Sequence, residues 1–225
     1  MQETARMDRD ALAHRAVVFF DLDGTVIRSE PAILRVAGEV MRAHGYNRTR
    51  EEMLPMIGPP LEEGFELVCG MSSTEASVCC REYRELFERT VTPDEFPTIE
   101  GVREILDDLV ASGRRLAVAT SRLEGSARQM IDQLGLDQFD AVIGRVPDLR
   151  YSKAESIAGA LHALDVYPRD VVMVGDRMHD VIGAAEWEIP CIGFYTGAAT
   201  PGELEEAGAI ATCHDASGLR ALLGL

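Results

Sequence analysis

Five short apolar runs without polar alternation punctuate the chain: AVVFF ending at Phe20, LAVAT ending at Thr120, AVIG ending at Gly144, VVMVG ending at Gly175 and CIGFY ending at Tyr195. A weaker run, AIATC, ends at Cys213. Apolar runs of this length with no polar face suit strands covered on both sides. Between most of them apolar residues recur at helical spacing. In GVREILDDLVASG the positions Val102, Ile105, Leu106, Leu109 and Val110 predict a buried stripe, and Gly113 suits a C-terminal cap. SKAESIAGALHALDV carries a second stripe through Ile157, Leu161 and Leu164. Strand then helix, repeated, predicts an α/β fold: a parallel sheet with helices on both faces.

One segment breaks this rhythm. From about Glu30 to Pro97 the patterns are helical throughout, in EPAILRVAGEVMRAHG, PLEEGFELVCG and STEASVCCREYRELFERTV, and Ser72 with Glu75 forms the sequence signature of a capping box. The predicted organisation is an α/β core from residues 1–29 and 98–225, with a small all-helical domain, 30–97, inserted after the first strand. TPDEFPT marks the return to the core. There are no internal repeats and no low-complexity tracts.

Composition narrows the class of protein. At 225 residues, 46% hydrophobic and 27% charged, the chain has enough apolar material for a substantial core. A formal charge of −16, with no Lys/Arg-rich stretch, argues against binding nucleic acid or an anionic membrane surface. No apolar run approaches the ~20 residues that span a bilayer, and MQETARMDRDALAHR lacks the apolar region of a signal peptide. Five cysteines, Cys69, Cys79, Cys80, Cys191 and Cys213, show no CxxC spacing, which suits reduced, buried thiols and a cytoplasmic setting.

The chemistry concentrates where the strands end. Asp21 and Asp23 follow the first run, Thr120 and Ser121 close the second, Asp176 and Asp180 follow VVMVG, and Lys153 opens a helix beyond AVIGRVPDLRY. In an open parallel sheet, ligands bind beyond the carboxyl ends of the strands, so these residues fall at one edge. Several carboxylates in a crevice repel one another and lose hydration, so a cation belongs among them. Oxygen-only ligands select a hard ion, and Mg²⁺ fits.

These residues resemble the motifs of the haloacid-dehalogenase-like hydrolase superfamily, in its phosphoglycolate-phosphatase-like branch with a helical cap. DLDGT is similar to the first motif, ATS to the second, Lys153 to the third and GDRMHD to the fourth, in order and across nearly the whole chain. The resemblance implies a Rossmann-like core, a cap at 30–97, and a phosphatase acting on a small-molecule phosphomonoester through an aspartyl-phosphate. By that resemblance Asp21 is the nucleophile and Asp23 the general acid and base. Mg²⁺ is held by Asp21, the Asp23 carbonyl and Asp176, with Asp180 supporting that shell. Ser121 and Lys153 stabilise the phosphoryl group, with Gly24, Thr25, Thr120 and Arg122 around it and Gly58 and Pro59 of IGPPLEEGFE facing the site. Arg28 and Arg177 lie near motif positions, and His179 sits inside the fourth motif.

Lys153 is the only lysine among 22 basic residues. A compact ammonium can touch a carboxylate and a phosphoryl group together, which a planar guanidinium does differently. Within the family, Asp23 argues against a dehalogenase, which has no alcohol to protonate, and a lysine-free cap argues against a Schiff-base phosphonate hydrolase. A sugar phosphomutase uses the same aspartate pair and stays open. A receiver-like phospho-acceptor domain is the distant alternative, shorter and with its acceptor on a middle strand. Phosphoglycolate, a nucleoside monophosphate and a sugar phosphate all stay open as substrates.

Overall fold

The computed structural model describes residues 12–225. Six strands form one fully parallel sheet: β1 (Val17–Phe20), β2 (Arg115–Leu123), β3 (Ala141–Arg145), β4 (Val171–Gly175), β5 (Cys191–Phe194) and β6 (Ala211–Cys213), in spatial order β3-β2-β1-β4-β5-β6. The Rossmann-like α/β core predicted from the apolar runs is therefore present. β1 shows why its sequence has no polar face. Val18 and Phe20 enter one apolar core, Val17 and Phe19 the other, and all four are buried.

Helices cover both faces. On the first lie α5 (Val102–Ala111), α6 (Glu124–Leu134) and α10 (Ala216–Leu223); on the second α7 (Lys153–Leu164), α8 (Met178–Ala185) and the short α9 (Glu203–Ala207). The helical stripe of α5 holds for Val102, Ile105, Leu106 and Leu109, which are fully buried. Val110 departs from it and is 46% exposed. A helix turns about 100° per residue, which carries Val110 from the contact face toward solvent. Gly113 follows the Ser112 C-cap with φ +83°, the left-handed geometry expected of it. β2 runs three residues past Thr120, where its apolar run ends.

Between β1 and β2 the described chain is helical: α1 (Glu30–Ala43), α2 (Arg50–Met53), α3 (Leu61–Cys69) and α4 (Ser73–Thr90), with 3₁₀ turns at Leu54–Met56 and Pro93–Glu95. The Ser72–Glu75 capping box forms, each side chain bonded to the other's backbone N–H. Where the segment leaves and rejoins the core, the two linkers run side by side. Ile27 bridges Thr98 in antiparallel fashion, Arg28 N–H donates to Pro97 O at 2.8 Å and Ile99 N–H to Val26 O at 2.9 Å. All five cysteines are buried and unpaired. Among the described residues no helix is long and apolar enough to cross a membrane.

Candidate active site

The winding of the sheet reverses between β1 and β4, the position where an open parallel sheet leaves a crevice beyond its carboxyl ends. Asp21 directly follows β1 and Asp176 directly follows β4, so the two carboxylates flank that crevice. Asp180, in the first turn of α8, joins them. One oxygen of each comes within 4.8 Å of the others, and all three residues are buried.

Lys153, the first residue of α7, is the cation at this cluster. Its Nζ lies 2.5 Å from Asp21 Oδ1, 2.7 Å from Asp180 Oδ1 and 3.0 Å from the Ala119 carbonyl. Three acceptors thus meet the three N–H donors of the ammonium. A capping box fixes the turn that carries it, with Ser152 Oγ accepting from Glu155 N–H and the Glu155 carboxylate from Ser152 N–H. Three carboxylates against one ammonium leave an excess of negative charge. Burial pushes Asp21 up to about 7, with Lys153 opposing and Asp180 and Asp23 adding to the rise. Burial, then Asp180 and Asp21, likewise push Asp176 well above its ordinary value.

The surroundings of Asp176 fit a hard cation. Thr25 Oγ1 donates to its Oδ1 at 3.1 Å, and the Ala198 amide reaches its Oδ2 at 3.4 Å. Backbone packs directly against this carboxylate. A Cβ on Gly24 would stand 2.4 Å from Oδ2, and one on Gly197 only 1.7 Å. Gly24 also holds φ +89°, which side-chain-bearing residues rarely adopt. An oxygen-only, buried, negatively charged cluster matches the preferences of Mg²⁺. Asp21, Asp176 and Asp180 can each offer a carboxylate oxygen, and Asp180 also holds the Lys153 ammonium through Oδ1 and the Arg177 amide at 3.0 Å through Oδ2.

Asp23 is held differently. Arg122 grips it with two bonds, Nε to Oδ2 at 2.8 Å and Nη2 to Oδ1 at 2.9 Å, and Ser29 Oγ also donates to Oδ1. Burial opposes ionisation here, but Arg122 and Ser29 outweigh it and keep this carboxyl below its ordinary range. The Arg122 guanidinium also lies 5.1 Å from the centre of the Phe87 ring on α4.

Asp21, Asp23, Thr120, Ser121, Arg122, Gly58 and Pro59 all border one cavity of about 630 Å³. Thr120, Ser121 and Arg122 sit where the β2–β3 ladder is interrupted, between the pairs Ala119–Ile143 and Leu123–Arg145. Gly24 and Thr25 do not border the cavity; both are turned to Asp176. Gly58 packs on Arg177 and His179, and Arg177 donates to the Ile57 carbonyl and pairs with Glu203 at 2.8 Å. Arg28 is exposed. Sequence reasoning missed Ser29, Thr196 and Gly197. Thr196 and Gly197 follow CIGFY, so the rule that polar residues end strands at the site reaches them; Thr196 Oγ1 donates to Gly24 O at 2.6 Å. Ser29 carries no such signal.

Residues 18–194 match the family model described as haloacid dehalogenase-like hydrolase. The chain belongs to this family. It is 32% identical to a 5'-nucleotidase of Pseudomonas aeruginosa over 218 residues, 96% of this chain and 98% of that protein. It is 29% identical to the pyrophosphatase PpaX of Bacillus mycoides over 169 residues, covering 74% and 77%. The crystal structure of "a predicted phosphatase from Clostridium acetobutylicum" matches with a TM-score of 0.86 at 28% identity, covering 94% of this chain and 99% of that one. In this haloacid dehalogenase-like hydrolase the segments DLDGT, ATS and GDRMHD and the residue Lys153 meet at the crevice between β1 and β4.

Proposed function

We propose that the enzyme is a Mg²⁺-dependent phosphatase that hydrolyses a small-molecule phosphomonoester through an aspartyl-phosphate on Asp21. The observation that carries this is the Lys153 contact: the ammonium holds Asp21 Oδ1, while Asp21 Oδ2 has no hydrogen-bond donor among the described residues. An oriented carboxylate with one oxygen left over at the edge of a cavity supports a nucleophilic role for Asp21.

In the first half-reaction an Asp21 oxygen bonds to phosphorus as the bond to the leaving alcohol breaks, and Asp23 gives the alcohol's oxygen a proton. In the second, Asp23 takes a proton from water, which attacks phosphorus and frees inorganic phosphate and Asp21. The Arg122 fork favours the charged form of Asp23, the base of the second half-reaction, so Asp23 must take up a proton before it acts as the acid of the first. Ser121 and the amides of the interrupted β2 segment would receive phosphoryl oxygens. Asp21, Asp176 and the Asp23 carbonyl would hold Mg²⁺, which when bound offsets the charge of the carboxylates and the phosphoryl group. Residues 30–97 serve as a cap hinged where Ile27 pairs with Thr98.

The test is phosphate release from a panel of phosphomonoesters with Mg²⁺, repeated with EDTA and with Asp21→Asn. Release that depends on Mg²⁺ and falls roughly 1,000-fold or more in the variant is the expected result for a lost nucleophile. Asp21→Asn retaining a tenth of the activity would exclude the covalent route.

A further inference from the structure

We infer that the leaving group this site accepts is an uncharged, heteroaromatic nucleoside, so that the substrate is a nucleoside monophosphate and not a phosphate ester with a second anionic group. This rests on the phosphatase reading above and names its substrate class.

Size comes first. The cavity at Asp21 and Asp23 measures about 630 Å³. Pockets for ligands of drug size run from about 300 to 1,000 Å³, and a two-carbon acid phosphate would leave most of this space to water. Its wall comes next. Ile33, Tyr83, Phe87, Phe96 and Met130 border it, so the wall beyond the phosphoryl end is apolar and partly aromatic. Such a surface gains from covering a planar ring and gains nothing from a carboxylate.

Charge is the deciding point. Three guanidiniums border the cavity, and each already serves a carboxylate: Arg122 holds Asp23, while Arg84 and Arg145 grip the two oxygens of Glu62 at 2.5 and 2.9 Å. Four carboxylates, on Asp21, Asp23, Glu88 and Glu124, border the same space. A substrate carboxylate or second phosphate would lose its hydration without gaining an unengaged cation. At the rim, Gln129 and Gln133 lie one turn apart on α6, exposed, and their amides make no hydrogen bond among the described residues. Each offers a donor and an acceptor, the complement of a base edge.

The test compares kcat/KM, with Mg²⁺, for AMP, GMP, CMP and UMP against ribose 5-phosphate, 2-phosphoglycolate and pyrophosphate. At least one nucleotide is expected to exceed each comparison substrate about tenfold or more, the range that stacking of a base contributes. Equal or better turnover of 2-phosphoglycolate, pyrophosphate or ribose 5-phosphate would overturn the inference. Calorimetric titration of the unmodified, metal-free protein with adenosine, guanosine, cytidine and uridine provides a second readout. Binding of at least one nucleoside is expected, and no binding at millimolar concentration overturns the inference. Nucleoside binding without hydrolysis of any ester would count against the catalytic mechanism and leave the pocket assignment in place.

Discussion

Lys153 has a full set of partners: Asp21, Asp180 and the Ala119 carbonyl take its three donors inside a site where its side chain is 6% exposed. An arginine carries its donors in a flat fork and needs more room, so it cannot reproduce contacts arranged around one nitrogen. Lys153→Arg is expected to fold and to lose roughly 100-fold or more in kcat; circular dichroism and steady-state kinetics check the two halves, and near wild-type turnover would exclude the role. Gly197 belongs to the same scale. Its Cβ would overlap Asp176 Oδ2, so Gly197→Ala should weaken Mg²⁺ binding about tenfold or more, measured by titration calorimetry. The aspartates and the lysine were legible because their residue types and order along the chain are unusual. The Ser29 hydroxyl on Asp23 was not, since a serine ahead of a helix is an ordinary sight in any sequence.

At the level of elements, the runs of apolar residues located every strand, and one capping box located the start of α4. α4 shows how much a cap can be read ahead of structure. Ser72 and Glu75 satisfy each other's backbone N–H, and Ser72→Ala should cost about 1 kcal/mol, seen as a lower denaturation midpoint with an unchanged denaturant slope. Ion pairs between elements were out of reach. Glu62 on α3 joins Arg84 of α4 to Arg145 at the end of β3, across 83 positions of sequence in the second case. Burial opposes its charge, but its own backbone N–H, Arg84 and Arg145 hold its carboxyl below the usual range. A depressed carboxyl contributes stability above its unfolded pKa and loses it as pH falls through the folded value. Glu62→Gln should therefore lower Tm at pH 7.5 by a few degrees, the effect of roughly 1 kcal/mol for a partly exposed pair. That gap should close as pH drops below the ordinary glutamate range. A gap independent of pH would assign the effect to packing.

Across the whole molecule, folding gathers carboxylates that the chain keeps far apart, and this couples stability to protons and metal. Asp21 and Asp176 are raised, so between the ordinary carboxylate range and about pH 7 the metal-free folded state binds more protons than the unfolded chain. Its stability should fall as pH rises through that window. Mg²⁺ competes with those protons, so the rise in Tm on adding Mg²⁺ should be larger at pH 8 than at pH 5.5, tested by thermal melts with Mg²⁺ and with EDTA. An equal rise at both would separate metal binding from these carboxylates. The amino-acid sequence by itself determined the strands, the helical segment after β1 and the polar residues that end the strands, because those follow from local periodicity and from residue type, while their phosphoryl chemistry was read from the family resemblance. Only the tertiary structure decided that Thr25 and Gly24 serve Asp176, that Arg122 is committed to Asp23, and that the cavity beyond them has an apolar wall and guanidiniums already engaged by carboxylates. Each of these is a contact between distant parts of the chain. Its energy depends on distance and burial, which exist only once the sheet has set the strand ends side by side.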